Sequence, residues 1–205
     1  MKKLLVFWLI IPLLSFAQIT EELDFVAPFN DGLAAVQKGD SWGFINESGT
    51  LVIPFRKDLV LTKSNKSKYP IFKNNRCLIS ETKNGITYFG YIDSKGKTVI
   101  APQFLNATNF NNGKAVVLHI LKENIGDNTI LGKKVVYYRY FEVVIDLNGS
   151  VGSYLNPKGI NIVLDKEYLK TPPEITSKKI SDNIYAFPTE TKKWKLVFIN
   201  EETAF

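Results

Sequence analysis

Phe29-Asn30-Asp31-Gly32-Leu33-Ala34-Ala35-Val36, Trp42-Gly43-Phe44-Ile45-Asn46 and Gly49-Thr50-Leu51-Val52-Ile53-Pro54-Phe55 follow one another near the start of the chain. Apolar residues alternate along each segment and turn formers separate the segments, the pattern of short antiparallel strands joined in a meander. Asn30-Asp31-Gly32 supplies a turn whose glycine accepts positive φ, and Lys38-Gly39-Asp40-Ser41 supplies a second. Alternation puts Trp42, Phe44 and Asn46 on one face and Gly43 and Ile45 on the other. Asn46-Glu47-Ser48-Gly49 fits a type I turn into the third strand. Pro54, which has no N–H to donate, is expected to end the ladder.

Working outward, the same skeleton recurs three times. Asn75 stands where Gly32 stood, and Phe89-Gly90-Tyr91-Ile92-Asp93 replaces the tryptophan strand. Gly96 closes the turn before Lys97-Thr98-Val99-Ile100-Ala101-Pro102. Asn is the residue after Gly that best tolerates a left-handed conformation, so the first exchange preserves the turn. A third unit begins at Phe110-Asn111-Asn112-Gly113 and closes at Gly149, with its second strand displaced by an insertion from about Leu121 to Lys134. A fourth runs from Ile180 through Tyr185 and Trp194 to Glu201-Glu202-Thr203.

Gly49, Gly96, Gly149 and Thr203 fall 47, 53 and 54 residues apart, each four positions after Ile45, Ile92, Ile145 or Ile199. Two landmarks in step over four copies indicate true repetition. The expected fold is all-β: an array of about four antiparallel β-meander repeats, stacked openly or closed like a propeller. The units cover about 25–56, 69–105, 107–151 and 177–205 of a single domain, 18–205. The last copy is the most degenerate, as a capping repeat whose outer face meets water should be.

These residues resemble the WG-repeat family of bacterial proteins, whose unit reads Phe-x-x-Gly-Leu-Ala-x-Val, then Trp-Gly-Phe/Tyr-Ile-Asp, then Gly-Lys-x-Val-Ile-Pro. The first unit is similar nearly throughout, with Trp42-Gly43 as the naming pair. In the second Phe89 precedes Gly90, and by register Glu142-Val143 and Leu196-Val197 hold that position in the other two. The resemblance implies repeated all-β units with an interaction role, and it carries no catalytic residues. It makes Gly32, Trp42, Gly43, Gly49, Phe89, Gly90, Gly96, Gly113 and Gly149 structural.

Ahead of the repeats, Lys2 and Lys3 precede an 11-residue apolar run, Leu4 to Leu14, and Ser15 and Ala17 flank Phe16. This is the layout of a cleavable secretory leader, residues 1–17, with the cut expected between Ala17 and Gln18. The run falls short of the roughly 20 residues a spanning helix needs. Export to the periplasm, cell surface or medium is therefore expected, with no membrane span after cleavage. The remaining 188 residues hold 24 Lys and Arg against 20 Asp and Glu, a mild basicity that argues for solubility before it argues for a partner. With Cys77 the single cysteine, no intramolecular disulfide can form.

The residues that could carry chemistry do not gather into a motif. His119 is the only histidine and follows Val116-Val117-Leu118 in an apolar strand, which suits a strand residue better than a general base. Cys77 falls in register with Ala34 and Ala115, as a core filler. The pairs Glu142 with Asp146 and Asp165 with Glu167 would each share a face if extended, while Asp93 and Asp146 fit turn roles. Phosphate-loop, zinc and calcium motifs are missing from the sequence, so no cofactor and no metal is expected.

Arg56 to Arg76 holds seven basic residues against one acid, Asp58, in what reads as a long loop between the first two units. Lys63, Lys66 and Lys68 are its candidate contacts for an anionic partner, either an envelope protein or an anionic glycan. Nucleic acid suits an exported chain poorly. The leading expectation is a non-enzymatic binding or scaffolding module of the bacterial envelope. The alternatives are a carbohydrate-binding module stacking glycan on Trp42, Phe44, Phe89, Tyr91, Tyr138 and Tyr140, and an envelope hydrolase.

Overall fold

A computed structural model describes residues 22–64, 66–128 and 133–199. The expected leader, the Ala17–Gln18 junction and the last turn, with its Thr203 landmark, lie outside the described residues. The first sheet is a meander in the order β1 (Phe25–Val26), β2 (Ala34–Lys38), β3 (Ser41–Ile45) and β4 (Leu51–Arg56). A two-stranded hairpin follows, β5 (Thr62–Ser64) with β6 (Ser67–Tyr69). The second sheet contains β7 (Cys77–Lys83), β8 (Ile86–Ile92) and β9 (Thr98–Phe104). In the third, β10 (Ala115–Asn128), β11 (Lys133–Ile145) and β12 (Val151–Tyr154) pair in order, and β13 (Ile160–Ile162) adds to β11. The fourth is β14 (Lys178–Lys179), β15 (Ile184–Pro188) and β16 (Trp194–Phe198). All pairings are antiparallel, and the described residues contain no helix.

Each unit also takes a short strand from the chain ahead of its turn. β1 does this for the first sheet and β14 for the fourth, while Leu59 bridges to Ile79 and Ala107 to Val117 for the middle two. The second unit thus begins near Asp58, ahead of residue 69, and the third ends at Tyr154, a little past 151.

Strand alternation decides what lies between sheets. Ala35, Trp42 and Phe44 point forward from the first sheet onto Cys77 and Ile79 at the back of the second. Leu78, Phe89 and Tyr91 point forward from the second onto Ala115 and Val117, and Val116 and Val144 point forward from the third onto Tyr185. One aromatic contact is copied: Phe44 meets Phe72 edge-on at 4.7 Å, and their register equivalents Tyr91 and Phe110 meet edge-on at 4.7 Å. Phe29, which has the same register with no unit ahead of it, is 48% exposed. Among the described residues no buried cluster joins the first sheet to the last, so the array is open, not a closed propeller.

Four expectations are corrected by the structure. Pro54 and Pro102 do not end the ladder, because β4 and β9 run through them. The partners of Trp42 and Phe44 are Arg56 and Ile53, and those of Phe89 and Tyr91 are Phe104 and Ile100, so each proline sits in a bulge that spares the N–H it lacks. The insertion after Leu121 does not displace the second strand either. It lengthens both arms of the β10–β11 hairpin, which pair from Ala115↔Ile145 out to Asn128↔Lys133 across one bulge. The basic connection is not an open loop, since its middle folds into the β5–β6 hairpin. Lastly, the fourth unit is not a polar cap: the outward side chains of β16 are Trp194, Leu196 and Phe198, at 51%, 52% and 66% exposure.

Candidate functional site

The repeat motif owes its glycines to two different requirements. A Cβ on Gly43 would lie 2.9 Å from the Ile53 carbonyl oxygen, and one on Gly90 would overlap the Ile100 carbonyl and stand 2.7 Å from the Pro102 nitrogen. The residue after the aromatic must be glycine because the bulged third strand folds its backbone against it. Gly49, Gly96 and Gly149 instead have φ of 76°, 80° and 85°, in the left-handed region that closes the turn. Gly96 and Gly149 also lie against the preceding repeat, where a Cβ would meet Ile53 at 3.2 Å and Ile100 at 3.3 Å.

The turns that open the units have a two-residue form in which both central residues take positive φ: Asp31 and Gly32, Asn74 and Asn75, Asn112 and Gly113. This mirror-image turn matches the right-handed twist of the strands it joins and favours Asn, Asp and Gly. It also frees a side chain for the neighbouring unit. Asp31 Oδ2 accepts the Asn75 N–H at 2.9 Å, Asn74 Oδ1 accepts the Gly113 N–H at 3.0 Å, and Asn112 Nδ2 donates to Asp182 Oδ1 at 2.7 Å. A row of turns is thereby laced along one end of the stack. The sequence reading missed this lacing, although the aligned Asp31, Asn74, Asn112 and Asp182 could have suggested it.

The basic tract divides by role. Arg56 is structural: its guanidinium donates to both Asp58 oxygens, at 2.6 and 2.7 Å, and to the Gly96 carbonyl at 2.9 Å. The pair raises the Arg56 pKa and lowers that of Asp58 through the same hydrogen bond. Arg76 likewise donates to the Leu147 and Asn75 carbonyls. Lys63 and Lys68, by contrast, face each other as a cross-strand pair on β5–β6, and Lys66 sits in the turn between them. All three are exposed, and among the described residues no ion pair involves them. Tyr69, buried in the first core cluster, and Thr62, whose hydroxyl accepts from Asn109 at 2.8 Å, tie this hairpin to the stack.

The other candidates are spoken for. Cys77 is buried between the first two sheets, where loss of hydration raises its thiol pKa. His119 faces Phe141 across the ladder and lies 6.1 Å from the Phe104 ring, and burial lowers its pKa. Asp93 Oδ1 caps its turn through the Lys95 and Lys97 N–H groups, as Asp146 Oδ1 does through Asn148 and Ser150. Asp165 and Glu167 share no strand face; both lie in one turn, with Asp165 Oδ1 accepting the Glu167 N–H at 2.8 Å. Glu142 does not meet Asp146. It is 2% exposed and accepts the Thr176 N–H at 2.8 Å, the Thr176 hydroxyl at 2.6 Å and the Ser177 N–H at 2.9 Å. That carboxylate, unforeseen in the sequence, straps the connection ahead of the fourth unit to the third sheet.

Of the six aromatics offered as a glycan ladder, Trp42, Phe44, Phe89, Tyr91 and Tyr140 are buried and only Tyr138 is part-exposed, so they are the stack's core and not its surface. Tyr138 lines a groove of about 420 Å³ with Arg139, Asn161 and Val163. A second groove of about 580 Å³ lies between Pro157–Gly159 and the β15–β16 turn, edged by Thr189, Glu190 and Lys195. Neither groove includes His119 or two carboxylates.

Serial antiparallel meanders of three or four strands, with equivalent aromatic and glycine contacts at the first two junctions, define a β-repeat protein. The family model described as WG containing repeat matches residues 19–41, 42–56 and 89–119. Those stretches, about a third of the chain, are similar to the WG repeat. No curated protein and no solved structure matches the chain.

Proposed function

We propose that this is an exported, non-enzymatic repeat protein that binds or scaffolds at the bacterial envelope, holding an anionic glycan or an acidic protein surface on the β5–β6 hairpin. The observation that carries the reading is Lys63 directly opposite Lys68, with Lys66 at the turn between them. Like charges in that relation repel and weaken a two-stranded ribbon. An anion laid across the three ammonium groups turns the repulsion into attraction, and the hairpin's anchorage through Tyr69 and Thr62 holds the groups in place to receive it. Lys2, Lys3, the Leu4–Leu14 run and the Ser15-Phe16-Ala17 junction support export.

Retention on isolated envelopes or an anionic-glycan resin tests the site. Retention should fall as salt rises past physiological strength, where exposed charges are screened over roughly 8 Å. The triple variant Lys63→Ser, Lys66→Ser, Lys68→Ser should lose it while keeping the wild-type urea midpoint. Retention unchanged by salt and by the triple variant contradicts the reading. N-terminal sequencing of protein recovered from the native host tests the address: Gln18 at the first position is expected, and an intact Met1 refutes export.

A further inference from the structure

Glu142 straps more than one stretch of chain. Its backbone carbonyl accepts the Leu155 N–H at 2.8 Å and the Asn156 N–H at 3.5 Å, while its carboxylate holds the Thr176 N–H and hydroxyl. Leu155, Asn156 and Thr176 all line the groove of about 580 Å³ between Pro157–Gly159 and the β15–β16 turn. That size falls within the roughly 300 to 1,000 Å³ of small-molecule sites. Asn156 is 8% exposed, and its Oδ1 is committed to the Lys158 N–H at 3.3 Å. Its Nδ2 has no partner among the described residues, which leaves a nearly buried donor for whatever fills the groove. The Thr176 hydroxyl gives its proton to Glu142 at 2.6 Å and keeps a lone pair with which to accept.

We propose that this groove is a binding site for a neutral saccharide. A sugar ring supplies what the lining lacks: hydroxyl or acetamido groups that accept from Asn156 Nδ2 and donate to Thr176 Oγ1, and a C–H face to lie against Leu155, Phe187 and Pro188. The rim disfavours an ion, because Lys158 and Glu190 stand 3.6 Å apart across the mouth and offset each other's charge. An extended peptide is disfavoured too, since Pro157 and Pro188 have no N–H with which to pair it. The groove shares no residue with the β5–β6 hairpin or with the six aromatics of the expected glycan ladder, so it stands or falls independently of the anion site.

Titration of the isotope-labelled protein with cellobiose, maltose and N,N′-diacetylchitobiose into the millimolar range, followed by amide NMR, tests this. At least one of the sugars should move the Asn156 side-chain amide and the Gly159 and Thr191 backbone signals saturably, with no dependence on salt. Asn156→Asp keeps the oxygen that caps the turn and removes the donor, and should weaken binding by at least about tenfold. Ile160→Ser strips an exposed residue from the wall and should also weaken binding, with the wild-type urea midpoint retained. The triple variant Lys63→Ser, Lys66→Ser, Lys68→Ser should bind the sugar as the wild type does. No saturable shift with any of the sugars overturns the proposal. So do shifts at the β5–β6 hairpin in place of the groove, affinity undiminished in both groove variants, or a groove that takes a proline-rich peptide and no sugar.

Discussion

Gly43 and Gly90 show how one missing Cβ sets the path of a neighbouring strand. The atoms in the way are backbone carbonyl and proline nitrogen, which have no rotamer to escape into. Gly90→Ala should therefore destabilise the protein by about 2 to 3 kcal/mol in urea unfolding. Gly49→Ala, with nothing within 4 Å of the added carbon, should cost only the left-handed penalty of about 1 kcal/mol. Equal losses would show that turn conformation, and not strand approach, is what the motif glycines share. Gly96→Val combines the left-handed backbone with contact on Ile53 and should fall at about 1 to 3 kcal/mol.

At the scale of the element, much was legible because hairpin turns and alternation are local. The alternation of Trp42 with Gly43 and of Phe89 with Gly90 gave the faces, and Asn46, Asp93 and Asp146 announced their turns. Bulges opposite Pro54 and Pro102 were hidden, since a bulge depends on which partner residue is skipped and no single strand records that. The Glu142 strap was hidden for a similar reason: its partners Thr176 and Ser177 lie 34 and 35 residues away, in a stretch with no motif. Removing one side of a buried, fully bonded carboxylate orphans three donors at once. Glu142→Ala should thus destabilise by about 3 kcal/mol, and urea unfolding followed by Trp194 emission should show the fourth unit detaching first. An unchanged midpoint would mean that Thr176 and Ser177 find other acceptors.

Over the whole molecule, the direction of stacking could be read from the repeats, but the exposed end could not. Degeneracy of the last unit suggested a polar cap, whereas Leu196 and Phe198 keep the apolar forward face of the inner units. Packing and lacing also divide the work between them. An edge-on ring pair is worth about 1 kcal/mol beyond the area it buries, while an exposed turn hydrogen bond nets about 1 kcal/mol at most. The core thus carries the cohesion, and the Asp31, Asn74 and Asn112 bonds set register. Acid should loosen the stack in two steps. Burial lowers the His119 pKa, so as pH falls through the ordinary 6.5 the unfolded chain takes the proton first and stability declines, by at most about 1.4 kcal/mol per pH unit. Arg56 lowers the Asp58 pKa, and its contribution is lost below the ordinary 3.8. His119→Leu should flatten the first step and leave the second, as thermal melts across pH would record.

Consecutive units lie face to face in one register, and the core packing, the turn lacing and the glycine contacts all follow from it. Nuclear Overhauser contacts between the Ile53 methyl groups and the Gly96 α-protons, and between the Ile100 methyls and the Gly149 α-protons, report that register directly, because each pair spans two repeats in van der Waals contact. Both cross-peaks are expected at short mixing time. Intact cross-strand contacts within each sheet, without either inter-repeat peak, would contradict this stacking.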